Sequence, residues 1–357
     1  MVIYLYFCLV KLHEKFMSRC IELAKKGLGT TYPNPLVGSI VVHDGKIIGE
    51  GWHYKAGEPH AEVLAIKNVS DPRLLSEATL YVSLEPCSHF GKTPPCSDLI
   101  ISEGIKKVII GSTDPNPKVR GEGIKKLKEA GCDVITGILE QECHVLNKRF
   151  FTFQNKKRPY VILKWAQSED GFLAPEFRSE KKESVWITNE FSRQFTHRMR
   201  TEETAILVGT TTVVDDNPSL TARYWEGSSP HRIVIDRNNR IPTNASVLNG
   251  TVPTLVISEV NKTIDPNLKY ESVDFSKPLA RQICDLLYRH ELQSLIVEGG
   301  SRTLQTFIEE DLWDEAFVFQ GPVIFNGGVT APELSGILIS EKNVKKDLLK
   351  HFKNPLS

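Results

Sequence analysis

His60-Ala61-Glu62 directly after Pro59, and Pro86-Cys87 with Cys96 after a strand-like run ending at Leu84, constrain this chain more than any other feature. One imidazole and two thiols form a zinc set that fills three tetrahedral positions and leaves the fourth to water. The expected ligands are His60, Cys87 and Cys96, holding one Zn2+ per chain. Pro59 opens a helix at His60, and Cys96 opens another, where its place at a helix N-terminus favours the thiolate.

Glu62 stands two residues beyond His60 and cannot share its helix stripe, so it faces the metal across the helix's open end. A carboxylate there can take a proton from water and pass it on, a role worth roughly 10² to 10⁴ in rate. This is the H-x-E…P-C…C pattern of hydrolytic deaminases. The alternative is a structural zinc site, which recruits a fourth protein ligand. His89 could supply it, but such a site has no use for Glu62. Cys8, Cys20, Cys132, Cys143 and Cys284 have no partner at ligand spacing and read as core or surface thiols.

At 357 residues the chain exceeds the usual size of one domain. Helical periodicity is expected over Glu14–Lys26, then a hairpin from Val37 to Gly49 closed by Asp44-Gly45. Strands follow at Thr79–Leu84, Lys107–Gly111 and Asp133–Thr136, alternating with helices near His60–Lys67, Cys96–Glu103, Glu122–Ala130 and Glu140–Arg149. That alternation is an α/β sandwich. The polar, basic stretch Gln154–Pro159 marks a boundary. Beyond it, strands are expected at Tyr160–Trp165, Ala205–Val208, Arg232–Asp236, Thr254–Ile257, Ser294–Val297 and Ala316–Phe319, with helices near Glu190–Arg200, Leu279–Arg289 and Thr303–Glu309. The domains expected are an extension over 1–11, a first domain over 12–155 and a second over 156–357.

The 44 basic and 44 acidic residues cancel. A nucleic-acid binder carries a basic excess or stripe, so a small soluble substrate is expected and nucleic acid is not. Seven cysteines, an odd number spread over a long chain, indicate a reducing compartment, and a cytoplasmic location is expected. The apolar run Val2–Val10 lacks a basic flank and a cleavage site and is shorter than the ~20 residues that span a bilayer, so no membrane partner is expected.

The cysteines are separated by Ser-His-Phe-Gly-Lys-Thr-Pro-Pro, where cytidine and tRNA deaminases usually have two residues. With Thr31-Tyr32-Pro33-Asn34-Pro35-Leu36-Val37-Gly38, Gly57–Glu62, Glu85–Cys96, Asp114-Pro115-Asn116-Pro117 and Gly121, the chain resembles the bifunctional deaminase-reductase family of riboflavin biosynthesis. The resemblance implies a cytidine-deaminase-like α/β/α sandwich whose substrate is a diamino-hydroxypyrimidine carrying a phosphoribosylamino group. Asn34, His89 and Lys92 are its candidates for the pyrimidine and phosphate sites. Read without it, Asn34 is equally a turn residue and Lys92 a solvated charge.

No G-x-G-x-x-G occurs after residue 160. Leu295–Thr303 instead reads as strand, glycine turn and helix start, which offers free N–H groups to an anion. Lys164–Gly171, Trp186-Ile187-Thr188 and Val208–Arg223 are similar to the same family's reductase domain, which implies a C-terminal dihydrofolate-reductase-like α/β domain that uses NADPH. The resemblance carries NADPH contacts onto Gln167, Trp186, Thr212, Asp216, Gly300, Ser301, Arg302, Thr303, Leu304, Gln305 and Thr306. It carries substrate contacts onto Ser184, Arg200, Leu220, Arg223 and Glu298. Arg200 and Arg223 suit a substrate phosphate because a guanidinium pairs its oxygens in a fork. Lys164, placed at a strand's end, can polarise the ribose carbon that is reduced, or pair with a carboxylate.

Gln167 and Glu169 stand where the family carries small or apolar residues. The chain closes on Lys345–Phe352 in place of the family's final strand, which predicts a sheet missing that strand. The function expected is deamination of the phosphoribosylaminopyrimidine followed by reduction of its ribosyl group to ribityl, by a homo-oligomer (dimer or tetramer). The rivals are a nucleoside or tRNA deaminase with an accessory C-terminal domain, disfavoured by zero net charge and the long cysteine loop, and an idle zinc scaffold, disfavoured by Glu62.

Overall fold

A computed structural model describes residues 2–90, 94–116, 120–176, 186–260 and 262–356. Lys92 and Ser184 lie outside the described residues. The chain divides into two compact units, Met1–Lys157 and Arg158–Ser357.

The first unit runs α1 (Val2–Lys25), β1 (Gly38–His43), β2 (Lys46–Trp52), α2 (Ala61–Lys67), β3 (Thr79–Leu84), α3 (Cys96–Ser102), β4 (Lys107–Ser112), α4 (Glu122–Glu129), β5 (Asp133–Thr136), α5 (Glu140–Leu146) and α6 (Lys148–Lys156). Its sheet order is β2-β1-β3-β4-β5, with β1 antiparallel to both neighbours and β3, β4 and β5 parallel. Side chains alternate across each strand. Ile40, Val42, Tyr81 and Ile109 pack with α1 and α5 on one face, while Val41, Leu80, Val82, Val108 and Ile110 pack with α2, α3 and α4 on the other. The unit is therefore an α/β/α sandwich.

Two boundaries differ from expectation. The helix expected from Glu14 begins at Val2, because neither glycine nor proline interrupts Val2–Lys25, so the segment expected to precede it is helical. The helix expected to run to Arg149 breaks at Asn147, and α6 then continues through Gln154 to Lys156. The chain turns at Lys157, where φ is 54°.

The second unit runs β6 (Tyr160–Gln167), β7 (Phe172–Pro175), α7 (Glu190–Glu202), β8 (Ala205–Gly209), α8 (Thr210–Asp216), β9 (His231–Ile235), β10 (Thr254–Ser258), β11 (Lys262–Asp265), β12 (Leu268–Ser272), α9 (Leu279–Arg289), β13 (Ser294–Val297), α10 (Ser301–Glu309), β14 (Glu315–Gln320), β15 (Gly328–Thr330), β16 (Ile337–Val344) and β17 (Asp347–Lys353). Its main sheet has the order β11-β12-β10-β9-β8-β13-β6-β14-β17-β16. Helices α9 and α10 cover one face through Ile283, Leu287, Leu304 and Phe307; Met199 of α7 and Val213 of α8 cover the other.

The final strand expected to be missing is present. β17 pairs antiparallel with β14 from Glu315↔Lys353 to Gln320↔Leu348, and β16 forms a hairpin with it. Asp347 begins β17 and is buried because its carboxylate accepts the Asn189 N–H at 2.8 Å and the Ser192 hydroxyl at 2.6 Å.

Candidate active sites

In the first unit three elements meet at one point. His60 is the N-cap of α2 in extended backbone, Cys87 follows β3, and Cys96 is the first residue of α3. The His60 Nδ1 lies 3.6 Å from the Cys87 Sγ and 3.3 Å from the Cys96 Sγ, with all three donor atoms within 4.8 Å of one another. Tetrahedral zinc, with Zn–N of ~2.0 Å and Zn–S of ~2.3 Å, places its nitrogen and sulfur ligands roughly 3.5 Å apart. The donor set fits that ion. His89 is exposed and is not in the cluster, so among the described residues the cluster has three protein donors and a free fourth position.

The Cys87 thiol is held below the usual thiol range by hydrogen bonding from Cys96, whose backbone N–H also reaches its Sγ at 3.2 Å, and from His60. Cys96 is pushed up by Cys87 and by burial. Two thiolates side by side need a cation between them. Glu62, in the first turn of α2, is 3 % exposed, and burial pushes its carboxyl up to about 7.

Three residues around this point escaped the sequence reading. The His53 Nδ1 lies 3.2 Å from the Pro59 carbonyl, which only a protonated nitrogen can satisfy, so its Nε2 accepts from the Asn34 Nδ2 at 3.1 Å. Burial lowers the pKa of His53 and favours this neutral form. Asn147 donates to the Leu36 carbonyl and accepts the Leu36 N–H, both at 2.8 Å, and so fixes the loop that carries Asn34. Glu85 accepts N–H groups from Asp114 (3.2 Å), Gly121 (3.0 Å), Gly123 (3.0 Å) and Ile124 (3.3 Å), tying the Cys87 segment to the start of α4. Gly123 has no room for a side chain there, since a Cβ would meet the Pro86 carbonyl at 2.0 Å.

In the second unit Lys164 lies inside β6 rather than at a strand's end. Its Nζ is 4.0 Å from Glu298. Arg200 forks the same carboxylate, Nε to Oε1 at 3.0 Å and Nη2 to Oε2 at 2.7 Å, while its Nη1 donates to the Thr221 carbonyl at 3.1 Å. Burial alone would raise the Glu298 carboxyl, but Arg200 and Lys164 outweigh it and hold it at about 2. Burial lowers the pKa of Lys164. Arg223 is exposed, and its backbone N–H donates to the Nδ1 of His197 at 2.9 Å. Burial first, then Arg200 and Arg223, hold His197 down at about 4, so it is neutral. This fourth missed residue lies three positions before Arg200 on α7, and its partner, the Arg223 backbone, is brought to it only by the fold.

A cavity of about 1150 Å³ opens between the ends of β8, β9 and β13. Thr212, Gly300, Ser301, Arg302, Thr303, Gln305 and Thr306 line it. The Leu304 side chain is turned into the core. Gln167, Trp186 and Asp216 are not part of its wall: Gln167 accepts from the Trp165 indole at 2.8 Å, Trp186 lies under Arg193 at 4.5 Å, and Asp216 ends α8. The Leu220 side chain is buried, on a left-handed backbone with φ of 55°.

Fold and site together define a zinc-type deaminase unit joined to an α/β unit of the reductase class. Residues 10–112 match the cytidine and deoxycytidylate deaminase zinc-binding region, and residues 159–354 match the RibD C-terminal domain. The chain is 43% identical over 340 residues to the riboflavin biosynthesis protein RibD of Aquifex aeolicus, covering 94% of each. It is 40% identical over 332 residues to that of Bacillus amyloliquefaciens, covering 90% of this chain and 88% of the relative. The crystal structure of a diaminohydroxyphosphoribosylaminopyrimidine deaminase/5-amino-6-(5-phosphoribosylamino)uracil reductase from Thermotoga maritima matches with a TM-score of 0.87 at 38% identity, covering 97% of this chain and 99% of that one. The chain belongs to the RibD family, the bifunctional deaminase-reductases of riboflavin biosynthesis. No helix among the described residues is long and apolar enough to cross a membrane.

Proposed function

We propose that the first unit deaminates diaminohydroxyphosphoribosylaminopyrimidine, and that the second reduces the ribosyl group of the resulting 5-amino-6-(5-phosphoribosylamino)uracil to ribityl with NADPH. The observation that carries the first half is a three-donor cluster with a buried carboxylate on the same helix start. Zinc bound by His60, Cys87 and Cys96 supplies a water activated near neutral pH. Glu62 takes one proton of that attacking water and delivers it to the ring nitrogen, then moves the second, from the new hydroxyl as it becomes the carbonyl, to the amino group, which departs as ammonia. Asn34, its amide nitrogen turned to His53, keeps its oxygen to accept from the pyrimidine. His89, on the cysteine loop, and Lys92 serve the same substrate.

For the second half, NADPH bound with its diphosphate against Gly299–Thr303 supplies a hydride. Glu298, held ionised between Arg200 and Lys164, positions the substrate, and Lys164 polarises the ribose carbon that is reduced. Arg200 spends its fork on Glu298, so the substrate phosphate falls to exposed Arg223. Leu220, whose side chain is in the core, offers only its backbone.

Metal content, with ultraviolet and nicotinamide absorbance followed on the phosphoribosylaminopyrimidine, tests this. One zinc per chain and an ultraviolet change preceding NADPH consumption are expected. Deamination of a tRNA or of single-stranded DNA at comparable rates would replace this substrate with nucleic acid.

A further inference from the structure

Between α8 and the exposed Arg223, the chain takes a path with two residues in the left-handed region, Asn217 at φ 40° and Leu220 at φ 55°. Backbone of that kind is strained in residues other than glycine and persists where surrounding groups pin it. Four side chains do so. The Asn217 Oδ1 accepts the Ser246 N–H at 2.7 Å, and the Arg200 Nη1 donates to the Thr221 carbonyl at 3.1 Å. The Ser229 Oγ accepts the Ala222 N–H at 3.2 Å, and the His197 Nδ1 accepts the Arg223 N–H at 2.9 Å.

Two of these pins come from one helix. His197 and Arg200 stand three positions apart on α7, so their side chains leave the same face. Arg200 also forks Glu298, just past β13. One face of α7 therefore grips residues 221–223 and holds the carboxylate that positions the substrate.

His197 can fill its place only as a neutral ring. The Arg223 N–H needs an unprotonated Nδ1, so the ring carries its proton on Nε2, and a doubly protonated ring would set one N–H against another. The ring is buried and meets Tyr224 edge to face, with centroids 4.7 Å apart. The charged groups around it are three cations, Arg200, Arg223 and Lys164, against the single carboxylate of Glu298. Burial and those cations keep it neutral.

We propose that His197 is a positioning residue of the reductase: by accepting the Arg223 N–H it fixes the stretch 221–223 and so presents the Arg223 guanidinium to the substrate phosphate. This rests on the reading above that Arg223 takes that phosphate. The Arg223 side chain is exposed and has no ion-pair partner among the described residues. Such an arginine is rich in rotamers, and a loose backbone beneath it would add to the entropy lost on binding.

Steady-state kinetics of the intact protein on 5-amino-6-(5-phosphoribosylamino)uracil, with NADPH saturating, test the assignment. His197→Leu removes the acceptor and should raise KM roughly 2- to 10-fold, the worth of one hydrogen bond, with kcat changed by less than about twofold. His197→Phe keeps a ring beside Tyr224 and should behave alike, which covers a folding defect in the leucine variant. His197→Asn puts an amide oxygen where Nδ1 stood, at little cost in helix propensity, and should restore KM. In an Arg223→Ala background His197→Leu should raise KM no further, because the histidine acts through that arginine. A rise in KM as large without the arginine as with it, or an asparagine variant as impaired as the leucine one, would overturn the proposal and leave Arg223 as the phosphate contact. Wild-type KM in Arg223→Ala alone would overturn the phosphate reading and this proposal with it. Circular dichroism checks that each variant is folded.

Discussion

Glu62 and Glu298 are both buried carboxylates, and their surroundings push them in opposite directions. Against the burial of Glu62 stands chiefly the charge of His60, which does not offset it and leaves the carboxyl near 7, where the proposed proton carrier would work. Glu62→Gln keeps the shape but cannot carry a proton, so we expect full zinc content with deamination reduced by ~10² or more. Loss of the metal in that variant would place Glu62 among the ligands instead. Glu298 sits at about 2 against an ordinary value of 4.5, so in that window the unfolded chain binds more protons than the native one. Its contribution is full above 4.5 and is lost as the pH falls towards 2. Glu298→Gln should therefore destabilise the protein at neutral pH yet flatten the dependence of stability on pH between those values; an unchanged slope in acid denaturation followed by circular dichroism would show that the carboxylate is not held by Arg200. The zinc triad and Glu62 were readable because spacing along the chain dictates them. Asn147, His53, Glu85 and His197 were not, since each acts through hydrogen bonds to residues that only the fold brings near.

At the scale of elements, short polar devices set the catalytic loops. Asn147 breaks what would otherwise be one helix and spends its amide on the backbone of Leu36. Asn147→Ala leaves two buried backbone groups unpaired, each costing about 1–3 kcal/mol. A lower melting temperature and a raised KM for deamination, with zinc retained, are the expected outcomes in calorimetry and steady-state kinetics. Gly299 and Gly300 are glycines for different reasons. A Cβ on Gly299 would meet the Val208 Cβ at 2.8 Å, so close packing requires it, whereas one on Gly300 meets nothing nearer than 3.5 Å, though φ is +55°. Gly300→Val should block dinucleotide approach at a modest cost in stability; dinucleotide affinity equal to wild type would move the diphosphate elsewhere. Strands with an apolar centre, such as β3, β5 and β13, were legible with their bounds. β17 was not, because Asp347, Lys350 and His351 hide its pattern and its pairing with β14 is decided by residues far back in the chain.

For the whole molecule, two compact units on one chain carry the two sites, and no residue assigned to the first is assigned to the second. The activities should therefore separate by mutation. The most direct measurement gives the intact Glu62→Gln protein the already deaminated pyrimidine and follows NADPH absorbance. Oxidation of NADPH at the wild-type rate, alongside no turnover of the amino-bearing substrate, is the outcome expected from two independent sites. Loss of NADPH oxidation, with zinc bound and the fold intact by circular dichroism, would instead mean that one composite site performs both reactions.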